Sequence, residues 1–217
     1  MISSSQIKLI RSLSQKKFRD QHHLYVMEGE KLVGELTGGR AGSKHQIHQL
    51  FATGEWIEKN SLMLSKTGIE AVEAESSVLR KVSKLVTPQE VLALVRFPDS
   101  QFQMEDLLNK PVLAFESIRD PGNLGTINRT ADWFGIDQVL CTPDSVDVYN
   151  PKVVQSTMGA ITRVSVLYRD ITEILEDAAL QKKAIYGTFL DGDNIYETSL
   201  KKNPLILFGN EPRGLSG

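Results

Sequence analysis

The chain has 217 residues, of which 41% are hydrophobic and 24% charged, and its net charge is −2. This is an ordinary globular composition, which excludes a disordered or collagen-like chain. No uncharged apolar run reaches the ~18 residues of a membrane span, so no membrane partner is expected. Met1 to Arg11 lacks the apolar core of a signal peptide. The single cysteine, Cys141, excludes a disulfide framework and a multi-cysteine zinc site and fits a reducing, cytoplasmic setting. The length suits two domains with modest cores.

The net charge hides a gradient. Residues 1–23 carry Lys8, Arg11, Lys16, Lys17 and Arg19 against Asp20 alone, whereas residues 101–217 carry eleven basic and sixteen acidic side chains. A basic arm on an otherwise acidic protein is the footprint of a nucleic-acid binder, with Lys16, Lys17 and Arg19 as the candidate contacts. A solvated amphipathic helix would carry the same charges.

Taken in chain order, Ser3-Ser4-Ser5 ahead of Ile7, Leu9, Ile10 and Leu13 predicts a capped helix with one apolar face. Strands are predicted at Leu24 to Met27, Ile47 to Ala52, Ile69 to Val72 and Val91 to Val95. Between them, helices are predicted over Glu28 to Leu36 and from a Ser76-Ser77 cap through Leu85, with a short helix or turn around Trp56-Ile57. This alternation describes a small α/β domain over residues 1–97. Residues 98–110 are polar and aperiodic and read as a linker. A second series fills residues 111–217. Its strands are Val112 to Phe115, Val139 to Cys141, Val164 to Leu167, Ala184 to Phe189 and Leu205 to Phe208. Its helices are Asn123 to Phe134, Pro151 to Ala160 and Ile171 to Leu180. Short apolar runs separated by helices imply a parallel sheet covered on both faces.

Ligands of such sheets bind beyond the carboxyl ends of the strands. Three glycine-containing polar loops stand there: Glu116 to Arg129, Leu190 to Asp193 and Gly209 to Ser216. In the first, Asn123 is placed to cap the next helix, and Arg129 can hold a phosphate bidentately. A plain strand-to-helix turn with a surface arginine has the same spacing. None of the loops has the GxGxxG or P-loop pattern. The four histidines lack the spacing of a metal centre, so no metal is expected. Cys141 reads as a packed core residue, and Ser117 and Ser156 lack a nucleophile-elbow context.

Together these segments resemble a known family. Asp120-Pro121-Gly122-Asn123-Leu124-Gly125-Thr126-Ile127-Asn128-Arg129-Thr130-Ala131 is similar to the first motif of the SpoU (TrmH-type) branch of the SPOUT RNA methyltransferases. Asn150-Pro151-Lys152 with Ser156-Thr157-Met158-Gly159 resembles the segment between its motifs. Leu207-Phe208-Gly209-Asn210-Glu211-Pro212-Arg213-Gly214-Leu215-Ser216 resembles its second motif. Lys17-Phe18-Arg19 and Val26-Met27-Glu28-Gly29 resemble the substrate-binding domain often fused ahead of it, which has the α/β fold of certain RNA-binding ribosomal proteins.

The resemblance implies methyl transfer from S-adenosyl-L-methionine to a ribose 2′-hydroxyl of ribosomal or transfer RNA, by a homodimer joined through a knotted C-terminal SPOUT domain. By carry-over, Arg129, Asn123 and Glu211 are catalytic, and Thr188, Leu190, Gly209, Asn210 and Gly214 hold the cofactor. A guanidinium stays protonated in proteins, so an arginine at position 129 suits phosphate holding and alkoxide stabilisation better than proton abstraction. Two departures stand out. Pro212 occupies a position where glycine is commoner in the family. The sequence also stops at Gly217, before the third motif of roughly Ser-Leu-Asn, so the expectation is a methyltransferase domain cut short at its C-terminus. The alternatives are a non-catalytic RNA-binding protein with a degenerate methyltransferase domain and, on the parallel sheet alone, a Rossmann-type nucleotide enzyme.

Overall fold

The computed structural model of the chain describes residues 1–38, 45–98, 109–210 and 214–215. The chain forms two compact units, Met1–Asp99 with Asp147–Arg163, and Ser100–Val146 with Val164–Gly217. The linker expected over 98–110 lies almost entirely outside the described residues.

The first unit opens with α1 (Ser4–Ser12). Its start is a capping box in which the Ser3 hydroxyl accepts from the Gln6 amide while the Gln6 side chain accepts from the Ser3 amide. Next come α2 (Lys16–His22), β1 (Leu24–Glu28), α3 (Glu30–Thr37), β2 (Ile47–Ala52), α4 (Gly54–Lys59), α5 (Ser61–Thr67), β3 (Ala71–Glu73), α6 (Ser76–Val82) and β4 (Val91–Arg96). The strands are ordered β1-β4-β2-β3. The β1/β4 and β2/β4 pairs are antiparallel and only β2/β3 is parallel, so the alternation of strands and helices does not give an all-parallel sheet here. Chain order explains why: β4 returns last and inserts between β1 and β2. Val91 through Val95 are correspondingly buried on both faces. On one face, Ile10 and Leu13 pack with Leu79 and Val82 over Leu24, Phe51, Leu92 and Leu94.

On the other face, Tyr25 packs at a tilt against Tyr149 with ring centroids 4.7 Å apart, and Tyr149 itself stacks on Phe97 at 4.2 Å. Tyr149 leads into α8 (Pro151–Ser156) and a 3-10 turn (Ala160–Thr162). The helix predicted to run to Ala160 stops at Ser156 because Met158 and Gly159 take left-handed backbone, with φ of 52° and 98°. Further expectations shift. α2 and α5 were not foreseen, and α6 starts on the backbone of Glu75 rather than a serine cap and ends at Val82.

The second unit contains β5 (Val112–Phe115), α7 (Pro121–Trp133), β6 (Gln138–Cys141), β7 (Ser165–Tyr168), α9 (Ile171–Leu180), β8 (Ile185–Gly187) and β9 (Leu205–Phe208). All its strand pairs are parallel, as expected, in the order β7-β6-β5-β9-β8. Successive strands run outward from β5 on one side and return on the other, so the strand order reverses between β5 and β9. Ile174 and Ala178 of α9 pack against Val112, Ala114, Leu140, Leu205 and Leu207. The register sets Phe115 beside both Cys141 and Phe208, which brings the carboxyl ends of β5, β6 and β9 level. Phe115 and Phe208 stack at 4.8 Å and pin that level, a contact worth about 1 kcal/mol. Cys141 is fully buried, and burial pushes its thiol up to about 12, which keeps it unreactive.

The first unit also holds a half-buried neutral histidine. His45 Nδ1 lies 2.8 Å from the Tyr25 hydroxyl, and burial lowers its pKa to about 4. The unfolded chain therefore binds more protons than the folded one between about pH 4 and the ordinary histidine value of ~6.5. This contribution to stability is complete above that range and declines as pH falls through it. Urea unfolding followed by the fluorescence of buried Trp56 should show a lower midpoint at pH 5 than at pH 7.5, and His45→Asn should reduce the difference. An unchanged pH dependence in the variant would contradict this assignment.

Candidate functional site

The reversal between β5 and β9 is where a parallel sheet opens a crevice at its carboxyl edge. Four loops reach this edge, and one hydrogen-bond network joins three of them. Ser117, just after β5, has a left-handed φ of 54°, which costs a non-glycine residue about 1 kcal/mol. Its amide donates to Thr142 Oγ1 at 2.8 Å and its hydroxyl to Asp144 Oδ2 at 2.5 Å. The Thr142 hydroxyl donates to Asp144 Oδ1 at 2.6 Å, and Arg119 reaches Asp144 at 3.3 Å. The Ser117 and Thr142 hydroxyls together hold the Asp144 carboxyl below the usual carboxylate range. Across the crevice, Asn210 Nδ2 donates to the Ser117 carbonyl at 2.8 Å.

The turn beyond β9 closes on itself. The Asn210 amide donates to the Gly214 carbonyl at 2.9 Å, and the Gly214 amide donates back at 2.8 Å. Gly214 has a φ of 69°. A Cβ on Gly209 would collide with the Gly214 carbonyl carbon, so the main chain itself fills the space a side chain would need. Thr188, at the end of β8, donates through both its amide and its hydroxyl to the Leu207 carbonyl, at 3.0 and 3.2 Å. Leu215 lies over Gly187 and brings the turn against the end of β8. Thr188, Gly209, Asn210 and Gly214 are thus gathered at one edge. The Leu190 side chain projects fully into solvent.

α7 begins at this edge for a local reason different from the one expected. Asp120, not Asn123, is its cap: Asp120 Oδ1 accepts from the Asn123 amide at 2.8 Å, and Pro121 takes the first helical position. Leu124, Gly125, Asn128 and Ala131 form the buried stripe of α7. Arg129 falls off that stripe, is exposed, and makes no ion pair among the described residues. Glu211 lies outside the described residues. The sequence reading passed over Thr142, Asp144 and the structural use of Ser117. The signal was available, since Thr142-Pro143-Asp144-Ser145 directly follows a strand at the same edge.

The basic arm divides. Lys16 and Lys17 are exposed, and Lys16 pairs with Asp20 at 2.7 Å. Arg19 is a correction. It is 2% exposed, and its guanidinium donates to Asp147 at 2.5 and 3.0 Å and to the Leu13 and Ser14 carbonyls. With its donors committed inside the unit, it presents no cation to a nucleic acid. The reason lies in α2, whose turn at Arg19 faces the interior.

The comparisons with known proteins agree with this geometry. Residues 110–217 match the SpoU rRNA Methylase family, and residues 4–93 match the MRM3-like substrate binding domain. The chain is 26% identical over 213 residues to the 23S rRNA (guanosine(2553)-2'-O)-methyltransferase RlmP of Bacillus subtilis (strain 168), covering 98% of this chain and 82% of that protein. Among solved structures, it is 35% identical to a TrmH-family protein from Porphyromonas gingivalis, covering 100% of this chain and 84% of that one, with a TM-score of 0.84. It is 26% identical to the AdoMet-bound rRNA methyltransferase from Sinorhizobium meliloti, covering 100% and 82%, with a TM-score of 0.79. The fold and the site edge are those of a parallel-sheet methyltransferase domain paired with a substrate-binding domain. This chain belongs to the SpoU (TrmH-type) family of RNA methyltransferases.

The burial of Arg19 separates two lysine-like neighbours in sequence by their energetics. Arg19→Ala leaves Asp147 without its cation and should cost about 3 kcal/mol in urea unfolding. Lys17→Ala should stay within about 0.5 kcal/mol. Equal effects of the two substitutions would contradict the assignment of Arg19 to the interior.

Proposed function

We propose that the protein transfers a methyl group from S-adenosyl-L-methionine to a ribose 2′-hydroxyl of ribosomal or transfer RNA. The observation that carries this reading is the pairing of Asn210 with Gly214, packed on Gly209, at the β5/β9 reversal in a chain of this family. The main chain there is packed so tightly that a Cβ has no room, so an adenosine edge can approach the backbone itself, and the Asn210 and Gly214 carbonyls each keep a second lone pair to meet it, which supports the fit of the cofactor. Thr188, Leu190, Gly209, Asn210 and Gly214 would hold it. When bound, S-adenosyl-L-methionine supplies an electrophilic sulfonium methyl.

The protein's part is then alignment and charge stabilisation. Arg129, exposed beside Asn128 on the outer side of α7, would hold the RNA phosphate and stabilise the developing ribose alkoxide. Asn123 would orient the same group, and Glu211 would complete the catalytic set. Residues 1–97 would bind RNA, with Lys16 and Lys17 contributing charge. Residues 98–110 would link them to the methyltransferase domain of residues 111–217, which would form a homodimer. Among the described residues no helix is long and apolar enough to cross a membrane. The cytoplasm is the proposed location.

Transfer of tritiated methyl from S-adenosyl-L-methionine to ribosomal or transfer RNA tests the reading. Arg129→Ala should lower transfer by ~100-fold or more while RNA affinity stays within about threefold. Equal loss of RNA affinity would reduce Arg129 to an anchor. RNA binding by the unsubstituted protein with neither cofactor binding nor transfer would instead identify a non-catalytic RNA-binding protein.

A further inference from the structure

We infer that Asp144 and Ser117 are positioning residues for the cofactor turn, acting through a relay that ends on the side-chain amide of Asn210. The inference rests on the reading of Gly209–Gly214 as the S-adenosyl-L-methionine turn. Neither residue belongs to the set that would touch cofactor or RNA.

The relay has a direction set by donor and acceptor chemistry. Ionised Asp144 can only accept, so both neighbouring hydroxyls, Ser117 at 2.5 Å and Thr142 at 2.6 Å, point their protons at it. With its one proton committed, the Thr142 oxygen is left as an acceptor and takes the Ser117 amide at 2.8 Å. Two bonds from two residues thereby hold Ser117 in its left-handed conformation, with a φ of 54°. That conformation turns the Ser117 carbonyl toward Asn210, whose Nδ2 donates to it at 2.8 Å. Asn210 is also the residue whose main chain is bonded both ways to Gly214. The carboxylate beyond β6 thus determines, through Ser117, where the turn beyond β9 sits. Ser145 reinforces the same edge by accepting from the Ile118 amide at 3.1 Å.

Loss of a charge-assisted anchor of this kind should be read as weaker cofactor binding rather than slower chemistry. In calorimetry with S-adenosyl-L-methionine, Asp144→Ala should raise Kd by ~10-fold. The rate at saturating cofactor should stay within about twofold. Asn210→Ala should raise Kd by a similar factor, and the double variant should be no worse than Asn210→Ala alone, because both act through one link. If Asp144→Ala loses its cooperative melt, Ser117→Gly takes its place. Glycine adopts the same backbone without strain but lacks the hydroxyl, and its effect should likewise vanish in the Asn210→Ala background. Unchanged Kd in a folded variant, additive effects in the double variant, or a fall in rate without a change in Kd would each overturn the inference while leaving the cofactor reading intact. Failure of the unsubstituted protein to bind S-adenosyl-L-methionine would overturn the cofactor reading and the inference with it.

Discussion

The hydrogen bond from the Asn210 side-chain Nδ2 to the Ser117 carbonyl spans the one place in the parallel sheet where strand order reverses. A reversal parts the chain segments above two adjacent strands, and the resulting crevice is useful only if its walls are fixed. Filling it with apolar side chains would fix them and destroy the site. A single side-chain amide ties the walls while leaving the space between them available. The level register of Phe115 and Phe208 makes the bond geometrically possible, since a one-residue slip would carry Asn210 ~3.3 Å along the strand.

The first unit solves a different problem with a related device. Its sheet is covered on one face by α1 and α6 and on the other by α3 and by Tyr149 and α8. The buried Arg19–Asp147 pair lies within this unit together with carbonyls of the turn after α1. A guanidinium suits this position because it offers several donors in a rigid fork, so that one charge satisfies a carboxylate and two carbonyls at once. Arg163 pairs with Glu35 of α3 at 2.5 Å and fastens the far end of the same segment. Part of the chain that matches the methyltransferase family thus contributes to the core of the first unit.

Much of this was legible in the sequence, and the exceptions have physical causes. β2, β9 and α9 fall where the hydrophobic pattern puts them, because burial on a sheet or helix face imposes that pattern directly. The class of site was legible because its motif residues sit at strand ends. Arg19 was misplaced because charge counting treats all cations as solvated, and nothing local marks the one that meets a carboxylate 128 residues away. The role given to Asn123 in capping belongs to Asp120, since both are good caps and only the helix start distinguishes them. Helix α8 was drawn too long because its break depends on Met158, a non-glycine residue forced into left-handed backbone. The Ser117–Thr142–Asp144 network was passed over because serine, threonine and aspartate are also the ordinary residues of turns. Their use as a network exists only once β5 and β6 are paired.

The central claim is that the turn beyond β9 is fixed by the protein before any ligand arrives. Hydrogen exchange of the Asn210 and Gly214 main-chain amides in the ligand-free protein tests this most directly. The account predicts that both exchange at least ~100-fold more slowly than free peptide amides, with protection approaching that of the neighbouring strand β9. Exchange of both at the rate of an open loop, with β9 itself protected, would contradict it.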